Sequence, residues 1–245
     1  MQGADAMPPK KALVEPSDHS ARFLEGIAEI SAAIMEKQYT EDILALIVSA
    51  TAKMSGCTIC SILLLDKKKN ELVLRACHSP TGRYKEKSNV PLGKGIAGQV
   101  AVSKKPTAVR DVRTEPQFLN KDLALSEGLV SLLAMPMSVE GELIGVMNCY
   151  TAYEYDFTRE DIQMIETVAS QAAVILKNTE LRVMKEIVER ELEERKLVER
   201  AKELLADKKR ISTKHAYELI RKQSMNSRTS MGKIAESILL AATFD

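Results

Sequence analysis

Residues 132–148 read LLAMPMSVEGELIGVMN. Two apolar runs, 132–137 and 143–148, are joined by Glu140-Gly141. A connection that short closes an antiparallel pair, because parallel strands need a crossover of a dozen or more residues. Upstream, Cys60-Ser61-Ile62-Leu63-Leu64-Leu65 and Leu72-Val73-Leu74-Arg75 repeat the arrangement around Lys69-Asn70. Between the two hairpins lies a long segment rich in Gly, Pro and Ser, with a helical core at 95–103. Hairpins in succession, without regular strand–helix alternation, predict an α+β domain with a mainly antiparallel sheet flanked by helices.

Helical spacing brackets this block. Phe23, Ile27, Ile30 and Ile34 recur on one face. Thr40 is a good N-cap with Glu41 and Asp42 in the first turn, Ile43, Ile47, Ala50 and Met54 share a face, and Gly56 is placed to end the helix. Thr158, followed by Arg159-Glu160-Asp161, starts another helix, whose apolar positions Ile165, Val168, Ala172 and Ile175 continue into Leu181, Met184 and Val188. No Gly or Pro occurs from Thr158 to Met231. A stripe of that length outruns one small domain and predicts a two-stranded coiled coil over 165–195, and with it a homodimer. Thr179 and Arg182 stand as irregular seam positions.

The chain has 245 residues, is 45% hydrophobic, and holds four Phe and no Trp, so its core is aliphatic. Its net charge of +1 conceals an asymmetry. Residues 195–245 carry twelve Lys or Arg against six Asp or Glu, and the rest carries 23 against 28. A small basic end on a mildly acidic body points to a polyanion partner. No apolar run approaches the ~18–20 residues that cross a bilayer. Residues 1–20, with Pro8, Pro9, Lys10 and Lys11, read as a flexible N-terminal tail. Four cysteines without framework spacing, and no export signal, predict reduced thiols and a cytoplasmic protein.

The basic end reads as three helices. The first runs to about Leu205 and stops at Asp207-Lys208-Lys209-Arg210. Ser212 caps the second, with Ala216, Leu219 and Ile220 inward; Thr229 or Ser230 opens the third, with Ile234, Ile238 and Leu239 inward. Three short helices make a minimal bundle, anchored by the coiled coil.

Two resemblances follow from these residues. The segment PLGKGIAGQVA from Pro91, then Lys105-Pro106, Asp111-Val112, Ser131-Leu132-Leu133-Ala134-Met135-Pro136 and Gly141-Glu142-Leu143-Ile144-Gly145-Val146, resembles a GAF domain over about residues 21–180. The resemblance implies a sensor for a small molecule, unidentified here, bound between the sheet and the connection around 76–130. Arg83, Tyr84, Phe118 and Asn148 are the lining candidates. The end of the chain, over 190–245, resembles an ANTAR domain, the three-helix RNA-binding module of transcription antitermination regulators. The carrying residues are Glu199-Arg200-Ala201-Lys202, Leu204-Leu205, Ser212, Ala216-Tyr217, Leu219, Arg221, Ser224-Met225, Arg228 and Ile234-Ala235. Two departures are Glu203-Leu204-Leu205-Ala206, where the family often has Gly-Ile-Leu-Met, and Ile220, where Leu is common. Together the resemblances imply a signal-gated dimer that binds paired stem-loops in leader RNA and prevents terminator formation. Tyr217 and Arg221 are four apart on one helix face and Lys214 precedes them by a turn. With Lys202, Ser224, Arg228 and Lys233 they are the RNA-contact candidates, suited to stacking on loop bases and to phosphates.

Competing readings are two. A basic three-helix unit also suits helix–turn–helix DNA binding, although Asn226-Ser227-Arg228 supplies no Gly at the turn. Cys57, Cys60 and Cys77 allow a thiol-based redox sensor or enzyme, but Cys57-Thr58-Ile59-Cys60 has no second C-x-x-C and the chain has three His, so no zinc set is evident. Gly93-Lys94-Gly95-Ile96-Ala97-Gly98 fits G-x-G-x-x-G without the βαβ context a dinucleotide needs. No catalytic or metal constellation is legible, and a regulator rather than an enzyme is expected.

Overall fold

A computed structural model describes residues 25, 26, 28 and 40–242; of the helix expected around Phe23 to Ile34 it describes residues 25, 26 and 28, which are helical, and the tail at 1–20 lies outside the described residues. The chain divides into two compact units, Met1–Thr179 and Glu180–Asp245.

In the first unit, helix α1 (Thr40–Ser55) has Glu41 and Asp42 in its first turn and buries Ile43, Leu44, Ile47 and Val48. Gly56 takes φ 64 and ends it, as its sequence position predicts. Strands β1 (Ile59–Asp66) and β2 (Glu71–His78) form the first hairpin, and β5 (Ser131–Val139) and β6 (Glu142–Thr151) form the second. With β3 (Val90–Pro91) and β4 (Thr107–Val109) they make one antiparallel sheet, ordered β3-β2-β1-β6-β5-β4. The connection adds a single 3-10 turn (Arg83–Glu86) and helices α2 (Gly95–Ser103) and α3 (Lys121–Ser126). Pro136 lies on β5 beyond the reach of β4, where the strand has one neighbour and a missing N–H is tolerated.

Side chains alternate across the sheet and feed two cores. Cys60, Ile62, Met147 and Cys149 pack with Ile47 of α1 and Ile165, Val168 and Ala172 of the long helix α4 (Arg159–Lys209). Ile59, Leu63, Val146 and Tyr150 face the opposite way, against Ile96, Val100, Val112 and Phe118. Gly145 permits the tightest approach in the sheet. It pairs with Leu64 on one side and Met137 on the other, and a Cβ there would collide with the carbonyl oxygen of Leu63.

The start of α4 is fixed by reciprocal bonds. The Thr158 amide donates to Asp161 Oδ2 at 2.9 Å, and the Asp161 amide donates to Thr158 Oγ1 at 3.1 Å. This is a capping box with Asp in the usual Glu or Gln place. The Tyr155 hydroxyl also donates to Asp161 Oδ2, at 2.7 Å, and Asp161 is buried. Asp161→Ala is expected to lower unit 1 stability by about 2 kcal/mol, since it removes the cap and the buried acceptor of the Tyr155 hydroxyl bond. Urea unfolding followed by tyrosine fluorescence measures this, and Asp161→Glu should recover part of it.

In the second unit, α4 does not stop near Leu205. It continues to Lys209, and Arg210 turns left-handed at φ 52 while the Ile211 amide donates to the Ala206 carbonyl at 3.0 Å. Lys208 and Lys209 are good helix formers and suit the last turn, where the dipole favours cations, and the reversal waits for Arg210. Helix α5 (Thr213–Ser227) is capped by Ser212, whose hydroxyl accepts from the His215 amide at 3.2 Å. Helix α6 (Met231–Ala242) follows Ser230, whose hydroxyl accepts from the Lys233 amide at 3.3 Å. The small core is Val198, Ala201, Ile220 and Ala235, with Leu197, Leu205, Ile234, Ile238 and Leu239 around it. Leu219, expected inward, is 37% exposed; Ala216 and Ile220, one turn apart, take the inner face instead.

Candidate ligand pocket and nucleic-acid face

On the α2 side of the sheet, a cavity of about 20 Å³ is lined by Lys87, Ile96, Phe118, Asn120, Leu132 and Tyr150, among others. It forms where the N-terminus of α2 and the segment before α3 approach β5 and β6. Tyr84, fully buried, stands beside it: its ring meets Tyr150 edge-on with centroids 5.6 Å apart, and Phe118 meets Tyr150 at 6.4 Å. Lys87 Nζ donates to the Tyr84 hydroxyl at 2.9 Å, Ser61 Oγ donates to it at 3.3 Å, and Tyr84 donates onward to the Tyr150 hydroxyl at 3.1 Å. Burial raises both phenols well above their ordinary range and pulls Lys87 down to about 8.

Of the four lining candidates, Phe118 lines this cavity and Tyr84 packs against its Tyr150 wall. Arg83 points elsewhere: it is exposed on the 3-10 turn and absent from the lining. Asn148 is fully buried opposite Ser61, and neither atom of its amide has a hydrogen-bond partner among the described residues. An unpaired buried amide costs about 1–3 kcal/mol, so this sheet face carries polar capacity that folding does not use. Lys87, Tyr150 and Ser61 are not among those four candidates. Tyr150 was findable, because it shares Asn148's face two residues along the strand.

The thiols gather on the other core. Cys57, Cys60 and Cys149 are buried, with Cys60 Sγ and Cys149 Sγ 3.8 Å apart. Cys57 is pushed up by its hydrogen bond with Cys149 and by burial. For Cys149 the bond with Cys57 pulls down, and the bond with Cys60 together with burial outweighs it. Cys77, half-buried, is pushed up to about 12 by burial. Cys57, Cys149 and Cys77 are thus held protonated at neutral pH and are poor nucleophiles.

In the second unit, Lys214, Tyr217 and Arg221 lie exposed along α5, Tyr217 at 41%. Arg228, exposed, takes φ 52 at the C-cap of α5, and Lys233 is exposed on α6. Lys202 differs: it is ion-paired with Glu199 on the same helix, three residues back. Ser224 is engaged in the turn, its hydroxyl donating to the Thr229 carbonyl at 2.6 Å. Ala201, Ala216 and Ala235 are fully buried, so their small size serves helix packing. Among the described residues no helix is long and apolar enough to cross a membrane.

Comparison with known proteins agrees with this geometry. A family model of the GAF domain matches residues 39–177, and one of the ANTAR domain matches residues 186–239. Over 145 residues the chain is 26% identical to the methyl sulfide methyltransferase-associated sensor of Methanosarcina acetivorans, a match taking in 57% of this chain and 14% of that protein. The chain thus spans a small part of that relative's length. Among solved structures, the GAF domain of a phosphoenolpyruvate-protein phosphotransferase from Coxiella burnetii superposes with a TM-score of 0.61 at 20% identity, covering 67% of this chain and 98% of that one. A free methionine-R-sulfoxide reductase from Neisseria meningitidis gives 0.58 at 21% identity, covering 69% and 96%. At these identities the likeness is one of fold.

Proposed function

We infer, from a chain that belongs to the GAF domain family over residues 39–177 and carries an ANTAR domain over residues 186–239, that this protein is a signal-gated transcription antitermination regulator. Both domains are regulatory in kind. In this reading unit 1 senses a small molecule, and unit 2 binds paired stem-loops in leader RNA in the cytoplasm, holding off the terminator. The observation that carries it is the exposed row Lys214, Tyr217 and Arg221 on α5, within the basic end of the chain. A half-exposed phenol between cations suits unstacked loop bases and their phosphates. Arg228 and Lys233 extend the row; Lys202 joins by exchanging Glu199 for phosphate, and Ser224 acts by holding the turn that presents Arg228.

The acting species is a homodimer through α4. Val174, Leu181, Val188 and Leu192 are exposed at 46%, 56%, 55% and 51%, and the first three are seven residues apart. That is the repeat of a coiled-coil seam, which a second copy covers. Gating follows from linkage: the signal changes RNA affinity only as far as it binds two conformations differently.

The test is binding of the full chain to a tandem-hairpin RNA across a salt series, beside duplex DNA of equal length. Arg221→Ala is expected to weaken RNA binding tenfold or more, within the ~1–3 kcal/mol of a specific arginine contact. Equal or tighter binding to DNA would replace this reading with a helix–turn–helix transcription factor.

A further inference from the structure

The unit 1 pocket is built of hydrogen-bond donors whose acceptors run out. Lys87 spends one N–H on Tyr84, Tyr84 spends its hydrogen on Tyr150, and the Tyr150 hydrogen, at the cavity wall, has no acceptor among the described residues. Ser61 adds another donor to Tyr84 rather than an acceptor for the chain. The Asn120 carbonyl oxygen, at the same wall, already takes the Ser88 hydroxyl at 3.5 Å, which leaves its NH₂ as a further donor.

Charge points the same way. The Lys87 ammonium lies 5.1 Å from the centroid of the Tyr84 ring and 6.0 Å from that of Tyr150. No carboxylate of the described residues pairs with it. A half-buried ammonium without a counter-ion is costly, and burial holds its pKa down at about 8. The rest of the wall is apolar: Val90, Ile96, Ala97, Phe118, Leu119 and Leu132. An inorganic oxoanion would leave that surface unused. The cavity, at about 20 Å³, holds little more than a water as it stands, and Leu119, 54% exposed, is the lining side chain freest to give way.

We propose that this pocket binds a small organic carboxylate, its charged group on the Lys87 ammonium and the Tyr150 hydroxyl, and its apolar body against Ile96, Phe118 and Leu132. The proposal rests on unit 1 being the sensor and names the class of its signal. The carboxylate completes the donor chain and neutralises Lys87 in one step, which a neutral isostere cannot do.

Titration calorimetry on the full chain uses acetate, propionate and butyrate, with propionamide and inorganic phosphate as comparison arms. A carboxylate is expected to bind at least tenfold tighter than propionamide and tighter than phosphate. Lys87→Met should lower that affinity about ten- to a hundredfold, Lys87→Arg should keep most of it, and Tyr150→Phe should weaken it several-fold. Melting of each unliganded variant establishes that it folds, and Lys87→Arg guards against a purely steric loss. Equal binding of propionamide, tighter binding of phosphate, indifference to Lys87→Met, or no carboxylate binding up to tens of millimolar overturns the proposal. RNA affinity measured in the same samples separates the two readings. A carboxylate that binds through Lys87 yet leaves RNA affinity unchanged upholds the ligand class and defeats the gating; no carboxylate binding defeats the ligand class alone.

Discussion

A chain carrying Leu181→Glu and Val188→Glu is expected to sediment as a monomer and to lose about a hundredfold or more in affinity for a two-hairpin RNA. Both residues are more than half exposed, and they stand seven apart on α4, in line with Val174. Charge at successive seam positions of a parallel pair sets like against like in the layer meant to be dry. Glu is a good helix former, so α4 itself should persist, and circular dichroism checks that. The size of the effect comes from multivalency: linking two modules raises avidity by about 10²–10⁴ without any new contact. Affinity for a single hairpin should therefore stay within a few-fold of the parent while the two-hairpin advantage disappears. If the variant stays dimeric, or the advantage survives in a monomer, the paired-site reading fails.

Gly145→Ala is expected to destabilise unit 1 by about 3 kcal/mol or more, at the upper end for added core volume. β6 is hydrogen-bonded on both sides, and the atom an alanine Cβ would strike is the Leu63 carbonyl oxygen, backbone of a strand that is itself held between β2 and β6. A flexible side chain could turn away; a carbonyl in a two-sided ladder cannot without breaking pairing. Gly141 provides the contrast. It has φ 80 but nothing near its missing Cβ, so alanine there costs strain alone, about 1 kcal/mol. Urea unfolding of the two variants should separate a collision from a turn preference, and the helical signal of residues 180–245 should melt as in the parent in both.

What was legible in the sequence was whatever is local and periodic. The hairpins at 60–75 and 132–148, the α2 core at 95–103, and the caps Thr158 and Ser212 all depend on neighbours within a few residues, and all appear where those neighbours put them. The end of α4 differs from the expectation near Leu205 because a run of charges resembles a stop, whereas the stop is the left-handed Arg210. Hydrophobicity alone points Leu219 inward, but Ala216 and Ile220 already fill the inner face.

The pocket was half legible for a different reason. Its lining comes from β3, β5 and β6, spread from Val90 to Tyr150, and from a connection with no repeat of its own, while Ser61 reaches its tyrosines from β1. Ser61 and Asn148 meet only because β1 pairs with β6, a register that alternation does not reveal. Lys87 follows a 3-10 turn and looks like any surface lysine until Tyr84 and Tyr150 are placed beside it. Arg83, the more conspicuous cation, lies on the outside of the same turn. Cys149 joins the C-x-x-C cysteines by the same cross-strand pairing, and the result is a thiol cluster packed in the core.

Helix α4 has one more bearing. It runs 51 residues, about 75 Å at 1.5 Å per residue, and the division between the two compact units falls inside it, between Thr179 and Glu180. The chain therefore has modules without a seam. Cutting it at the division would expose raw helix ends with neither cap nor stop signal, leaving about four carbonyls on one fragment and about four amides on the other without their helical partners. Transplanting either module onto a new partner is thus a matter of splicing helix to helix, not of joining two beads with string.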